Sequence, residues 1–173
     1  MPDQPPPAAT RICPMTQAHA AALAQAVLHP SLRAIPVGRM AHEYGAAALL
    51  VRQLLDAERQ LGNWYAVLDG NGEFVGQVGL VVRRGAQAQL TYWIAAPARG
   101  MGHATAAARL AVQLAFAGPE LQLLTTVVTP GNAPSLRVLQ KTGFARAPAL
   151  DKPGSHLGFC LQRLAKRREQ NPA

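Results

Sequence analysis

No apolar run in this chain approaches the roughly 18 residues that a membrane-spanning helix needs, so no span is expected. Cysteine is nearly absent: Cys13 and Cys160 stand alone in 173 residues. Two thiols so far apart in sequence make neither a disulfide framework nor a thiolate metal site, and no metal is expected. Aromatic residues are 5% of the chain and no RNA-binding signature occurs, which argues against recognition of nucleic acid by base stacking. Charged residues are also few, at 15% against 49% hydrophobic, a balance that excludes a disordered chain. Acidic residues are the minority of the charged ones: 9 Asp and Glu face 17 Lys and Arg, for a net charge of +8. That excess reads either as a surface for an anionic partner or as compositional bias, since alanine, arginine, proline and glycine are abundant together. Much of it lies in the tail from Arg163 to Arg168. The opening MPDQPPPAAT has no basic start followed by an apolar stretch and is not read as a secretory leader. A cytoplasmic protein with reduced thiols is expected.

What is present is one domain's worth of patterned sequence, enough for a substantial core. Residues 1–9 are expected to be a disordered proline-rich segment, 10–165 a single domain and 166–173 a basic flexible tail. Thr10–Met15 reads as a short edge strand and Gln17–Leu28 as a helix capped by Thr16 and ended by His29-Pro30. Ser31–Gly38 reads as a linker, and Ala41–Leu61 as a second helical region with Leu50, Leu54, Leu55 and Leu61 at helical spacing. Trp64–Leu68 and Phe74–Val82 flank Asp69-Gly70-Asn71-Gly72, a strong hairpin signal. The chain then enters Gln89–Ala117, on which the rest is organised. Leu90, Tyr92 and Ile94 alternate with Thr91, Trp93 and Ala95 at the period of a strand. Arg99-Gly100-Met101-Gly102-His103-Ala104 follows, and a helix begins at Gly102. Thr105, Arg109 and Gln113 form its polar stripe; Ala107, Leu110, Ala111 and Leu114 form its apolar face. Leu121–Thr129 reads as a buried strand parallel to the first, because a strand–helix–strand unit of this length is a crossover. Asn132 caps a helix to about Gln140, Gly143 ends it, and Phe144 and Leu157–Leu164 supply the last two strands.

A glycine turn that feeds a helix N-terminus presents unpaired amides and the positive end of a dipole, which suits a phosphate. On its own this is a weak signal. About thirty residues later comes Asn132-Ala133-Pro134-Ser135 through Lys141-Thr142-Gly143-Phe144, and the two in this order are specific. Together they resemble the GNAT acetyltransferase superfamily. The first matches its [QR]-x-x-G-x-[GA] acyl-CoA signature, the second its N-x-x-S segment. The Tyr92-Trp93-Ile94 strand is closest to the branch of ribosomal-protein N-terminal-alanine acetyltransferases.

The resemblance implies an α+β fold: a twisted, mostly antiparallel sheet whose central parallel pair splays to admit acyl-CoA, with helices on both faces. It implies that Ile94 and Ala95 pair with pantetheine through their main chains, and that a backbone amide near Ala95 polarises the thioester carbonyl. The diphosphate would rest on the turn Met101, Gly102, His103, Ala104 and Thr105, with Arg99 adding charge at the rim and Gly100 leaving space. Ser135 would protonate the departing thiolate or only satisfy a first-turn amide. Asn132 would be an N-cap, a pantetheine ligand, or both. The implied reaction is direct transfer from acetyl-CoA to a primary amine, on a protein N-terminus or a small molecule, by a monomer or homodimer.

The chain departs from the pattern at the base. Where the branch carries glutamate, this sequence has Gln89, and no tyrosine follows Tyr92. A water relay ending on Gln89, His156 before the last strand, or His42 and Glu43 on the second helical region are the substitutes on offer. The alternative function is a GNAT-fold protein that binds acyl-CoA without transfer.

Overall fold

A computed structural model of the chain describes residues 9–33, 35–83 and 85–163. The expected tail, and all but Ala9 of the expected N-terminal segment, lie outside the described residues.

The order is β1 (Arg11–Pro14), α1 (Ala20–Val27), α2 (Pro36–Tyr44), α3 (Ala46–Glu58), β2 (Gly62–Leu68), β3 (Phe74–Val82), β4 (Gln87–Ile94), α4 (His103–Ala115), β5 (Leu123–Val128), α5 (Ala133–Lys141), β6 (Ala145–Arg146) and β7 (Leu157–Gln162). The strands form one seven-stranded sheet in the order β1-β2-β3-β4-β5-β7-β6. All pairs are antiparallel except β4 with β5. The parallel neighbours, the helices on both faces and the hairpin at Asp69–Gly72 agree with the sequence.

Two helical expectations need correction. Ser31–Gly38 is no linker: Pro30–Leu32 forms a 3-10 turn and α2 starts at Pro36. Proline at the first position of α2 fixes φ for the helix and gives up an amide that would have no partner there. The region Ala41–Leu61 is two helices, because Gly45 takes φ 88° and ψ 153° between α2 and α3. Such a conformation is open to glycine and stops the ladder.

The sheet separates two cores. On one face Leu90 and Ile94 of β4 pack with Ala107, Ala108, Ala111 and Ala115 of α4, Leu124 and Val128 of β5 and Leu139 of α5. On the other face Trp93 packs with Leu23, Val27, Leu49 and Leu50. The buried side of α4 is thus its alanines, which let the helix lie close to the sheet, whereas Leu114, assigned to the apolar face, is 47% exposed.

The feature that makes a site is the brevity of one pairing. β4 and β5 are registered only from Gln87↔Leu123 to Gln89↔Thr125. Beyond Gln89 and Thr125 the two strands run on to Ile94 and Val128 without pairing, so the sheet opens between them.

Candidate active site

The turn at the end of β4 is built by glycines where the backbone demands them. Gly100 has φ 81°, and Gly102, the N-cap of α4, has φ 87° and ψ −7°. The first intrahelical bond runs from the Ala106 amide to the Gly102 carbonyl at 3.1 Å. The amides of His103, Ala104 and Thr105 therefore have no partner within the helix. Met101 and both glycines are exposed, so the turn faces solvent. A Cβ built on Gly100 meets nothing within 4 Å. The result is an open cradle for an anion, at the mouth of the gap between β4 and β5.

His103 divides its groups. Its amide belongs to the cradle, but its ring is 2% exposed and its Nδ1 lies 2.9 Å from Thr10 Oγ1. The imidazole fastens the first turn of α4 to the start of β1 rather than facing a ligand.

The alternation of the β3–β4 ladder decides which main-chain groups of β4 face the gap. The Ala95 amide donates to Val75 O at 2.8 Å, on the β3 side. Antiparallel pairs alternate, so Ile94 and Tyr92 turn their main-chain groups toward β5. This corrects the expectation for Ala95: its amide is committed to the sheet and is not a donor for an incoming carbonyl. Ile94 keeps its place on the gap side. Its carbonyl accepts from Arg99 Nε at 2.9 Å, while Arg99 Nη2 lies 2.9 Å from Ser31 Oγ. Arg99, expected beside a diphosphate, thus spans the mouth from β4 to the turn after α1. Ser31 Oγ also lies 2.9 Å from His29 Nδ1. His29 and Glu73 are among the residues around a cavity of ≈ 340 Å³ between α1, the start of β3 and Ala95–Pro97.

Across the gap stands the first turn of α5. Asn132 Oδ1 accepts from the Ser135 amide at 3.2 Å, a side-chain N-cap. The Ser135 carbonyl receives the Tyr92 hydroxyl at 3.4 Å. Tyr92 therefore bridges β4 to α5 over the opening. Burial pushes its phenol pKa up, so it is the protonated, donating form that makes the bridge. The sequence reading missed this role, although the signal was there: a hydroxyl on the apolar face of a strand must find an acceptor.

The substitutes for a base are not brought together. Gln89 is the last residue of β4 paired with β5, at the closed end of the gap, and its side-chain carbonyl accepts from Arg83 Nη2. His156 precedes Leu157, which pairs with Val128 at the far end of β5. Three residues of strand, about 10 Å, separate those two levels. His42 and Glu43 lie on α2, where with Arg33 and Arg39 they line a third location, an open depression of ≈ 450 Å³.

A family model described as "Acetyltransferase (GNAT) domain" matches residues 10–145, which includes the splayed strands, the glycine turn and α5. The chain belongs to the GNAT acetyltransferase family. As a GNAT domain it is an acyl-CoA-dependent N-acyltransferase with acetyl-CoA as cosubstrate, and the open amides of α4 and the gap beside Ile94 fit that group.

Solved structures share the GNAT fold. Mycobacterium smegmatis RimJ in complex with CoA-disulfide is 22% identical, with a TM-score of 0.72 over 88% of this chain and 81% of that one. The aminoglycoside acetyltransferase AAC(6')-Ib with coenzyme A is 20% identical, TM-score 0.74, over 90% of this chain and 95% of its own. RimL, a ribosomal L7/L12 alpha-N-protein acetyltransferase, is 13% identical, TM-score 0.74, over 88% and 93%. Among curated proteins no sequence match reaches significance. Among the described residues no group of His, Cys, Asp and Glu is arranged to hold a metal, and no helix is long and apolar enough to cross a membrane.

In this GNAT domain the loop before β7 is pinned by one carboxylate. Asp151 takes a fork from Arg146, Nη1 to Oδ1 at 2.9 Å and Nη2 to Oδ2 at 2.8 Å, and a bond from the Gly158 amide at 2.7 Å. The Arg146 hydrogen bond first, and the Gly158 amide second, hold the Asp151 carboxyl down at about 2. A folded pKa below the ordinary carboxylate value of about 3.9 means that the contribution is complete above that value and is lost as pH falls through about 2. Hydrogen exchange should show the Gly158 amide protected from neutral pH to about pH 3 and loosening toward pH 2. In Asp151→Ala, which removes the acceptor, it should exchange fast at pH 7. Equal protection in the variant would mean that β7 pairing, not Asp151, holds the loop.

Proposed function

We propose that the chain transfers the acetyl group of acetyl-CoA to a primary amine, on a protein N-terminus or a small molecule, by direct attack in a ternary complex. The observation that carries this reading is the coincidence of the β4–β5 gap with the open N-terminus of α4 at its mouth. Main-chain groups of Ile94 and Tyr92 supply an edge on which pantetheine can add like a strand. The amides from Met101 to Thr105 receive the diphosphate, where each charge-assisted hydrogen bond contributes about 1.5–3 kcal/mol. Arg99 exchanges the Ile94 carbonyl for phosphate oxygen, which leaves that carbonyl to the pantetheine.

Acetyl-CoA supplies an activated acyl carbon; its C–S bond breaks as the C–N bond forms. The amine sheds a proton through water at the closed end of the gap, where Gln89 orders the relay, or to His156 at the mouth. The departing sulfur gains a proton from Ser135 on α5, and water returns the proton that the amine sheds to the serine oxygen, with Asn132 and Tyr92 holding that turn in place. An amide on the gap side of β4, at Ile94 or Tyr92, replaces Ala95 as the donor to the carbonyl oxygen. A cytoplasmic setting suits the two free thiols.

Gln89 favours a second reading, acyl-CoA binding without transfer: an amide accepts no proton at neutral pH, and this one is already bonded to Arg83. Thiol release from acetyl-CoA with a panel of N-terminal peptides and small amines separates the two. Transfer predicts acceptor-dependent CoA release. Tight binding with no release on any acceptor leaves the binder. In the same assay Ser135→Ala should lower kcat about 100-fold or more while acetyl-CoA affinity changes only a few-fold. An unchanged kcat would leave Ser135 only its place in the first turn of α5.

A further inference from the structure

We propose that His103 and Thr10 form a clasp that sets the position of the diphosphate-binding amides, so that affinity for acetyl-CoA is controlled from the edge strand β1. Both are positioning residues and act through the turn rather than on the ligand. The proposal rests on the reading of Met101–Thr105 as the diphosphate site.

An anion cradle cannot be closed by its own side chains. α5 is capped by Asn132 Oδ1, which occupies the Ser135 amide. α4 begins at Gly102, which makes no side-chain cap, so its first-turn amides stay open for a ligand. The same glycines that clear the approach, Gly100 at φ 81° and Gly102 at φ 87°, have no side chains with which to pack the turn in place. Among the described residues, His103 is the one position from Gly100 to Thr105 whose side chain makes a hydrogen bond. Its ring is 2% exposed, and its Nδ1 meets Thr10 Oγ1 at 2.9 Å in surroundings that shield the bond from water. His103 gives its amide to the cradle and its ring to Thr10, so a displacement of one moves the other.

Thr10 immediately precedes β1, the outer strand of the sheet, three places from β4. Three strand spacings are about 14 Å. The clasp covers this distance because α4 lies close on the sheet through its buried alanines Ala107, Ala108 and Ala111. Ile12, two residues after Thr10 and so on the same face, packs against the same core. From β1 to β4 the strands are paired in unbroken succession, whereas β4 and β5 part after Gln89 and Thr125. The clasp therefore fastens the turn to the continuous half of the sheet and not to the half that opens.

The test uses the full chain with acetyl-CoA and with S-acetylpantetheine, which carries the same thioester without the diphosphate. Thr10→Val keeps the shape of the side chain and removes its hydroxyl. Calorimetric titration should show the Kd of acetyl-CoA raised about tenfold, because hydrogen bonds to the diphosphate weaken steeply with misalignment, while that of S-acetylpantetheine stays within about twofold. Thr10→Ser should restore wild-type affinity. His103→Asn, whose amide reaches the place of Nδ1, should bind acetyl-CoA more tightly than His103→Gln, whose amide lies farther out. If Thr10→Val does not fold, the order of these two His103 variants decides the matter. A merely structural role would lower Tm and weaken both thioesters alike, and that result overturns the proposal. Both ligands are read by binding, so the outcome does not depend on transfer. Acetyl-CoA bound by the wild type no more tightly than S-acetylpantetheine would remove the diphosphate from this turn, and the proposal with it. A diphosphate advantage that persists undiminished in Thr10→Val would overturn the clasp alone.

Discussion

Gly102→Glu is expected to abolish binding of acetyl-CoA while leaving a folded protein. Gly102 caps α4 in the left-handed region, at φ 87° and ψ −7°, and its carbonyl accepts the first helical bond. A side chain there costs about 1–2 kcal/mol in backbone strain. Part of that cost is returned, because a carboxylate at a helix N-terminus is favourable with the dipole. The same carboxylate then competes for the amides that a diphosphate needs and adds a like charge beside it. Acetyl-CoA affinity should therefore fall at least about 100-fold, or about 2.8 kcal/mol. Gly102→Ala, which carries the strain without the charge, should lose much less. Calorimetric titration and thermal shift with acetyl-CoA read both. If Gly102→Glu keeps the wild-type stabilisation, the diphosphate is not held by this turn.

That residue also shows why part of the site was legible in sequence. Glycines with small neighbours before an amphipathic helix encode a backbone shape, and backbone shape is local. Asn132 was legible for the same reason: a cap is decided within one turn. What sequence could not supply was the direction of groups set by pairing across the sheet. Ala95 and Ile94 are adjacent and look equally apt, yet only the register with β3 shows that the Ala95 amide points away from the gap. Arg99 reads as a charge at the rim, and its present partner Ser31, 68 positions away, could not be read from the sequence. Similarly, Ser31–Gly38 reads as a linker in the sequence. Pro36 instead starts a helix, and Gly38 lets that helix touch the backbone of the preceding turn.

The largest loss of stability is expected at Gln77, on the strand that backs β4. Gln77 is fully buried and faces Trp93 in the register of β3 and β4. Its Oε1 accepts from Gln53 Nε2 at 3.0 Å and from Trp93 Nε1 at 3.3 Å, and its Nε2 donates to Gln53 Oε1 at 2.7 Å. Gln53, on α3, is 1% exposed, so no water can replace these partners. Gln77→Leu leaves an amide on α3 and the indole N–H of β4 buried and unpaired. At about 1–3 kcal/mol for each orphaned group, the variant should lose about 3 kcal/mol or more, a fall in Tm of about 6–12 °C. The penalty comes from the groups left behind rather than from the bonds themselves. Gln53→Leu/Gln77→Leu removes both amides and strands only the indole, so it should cost less than the sum of the two single changes. Urea denaturation of the four proteins closes the cycle. Additive losses would mean that packing, and not the paired amides, joins α3 to the sheet. Because Trp93 precedes Ile94 on the strand that borders the gap, the single variant should also weaken acetyl-CoA binding, and the double variant should recover part of it. A polar pair on the far face of the sheet would then be helping to hold the edge on which the cosubstrate lies.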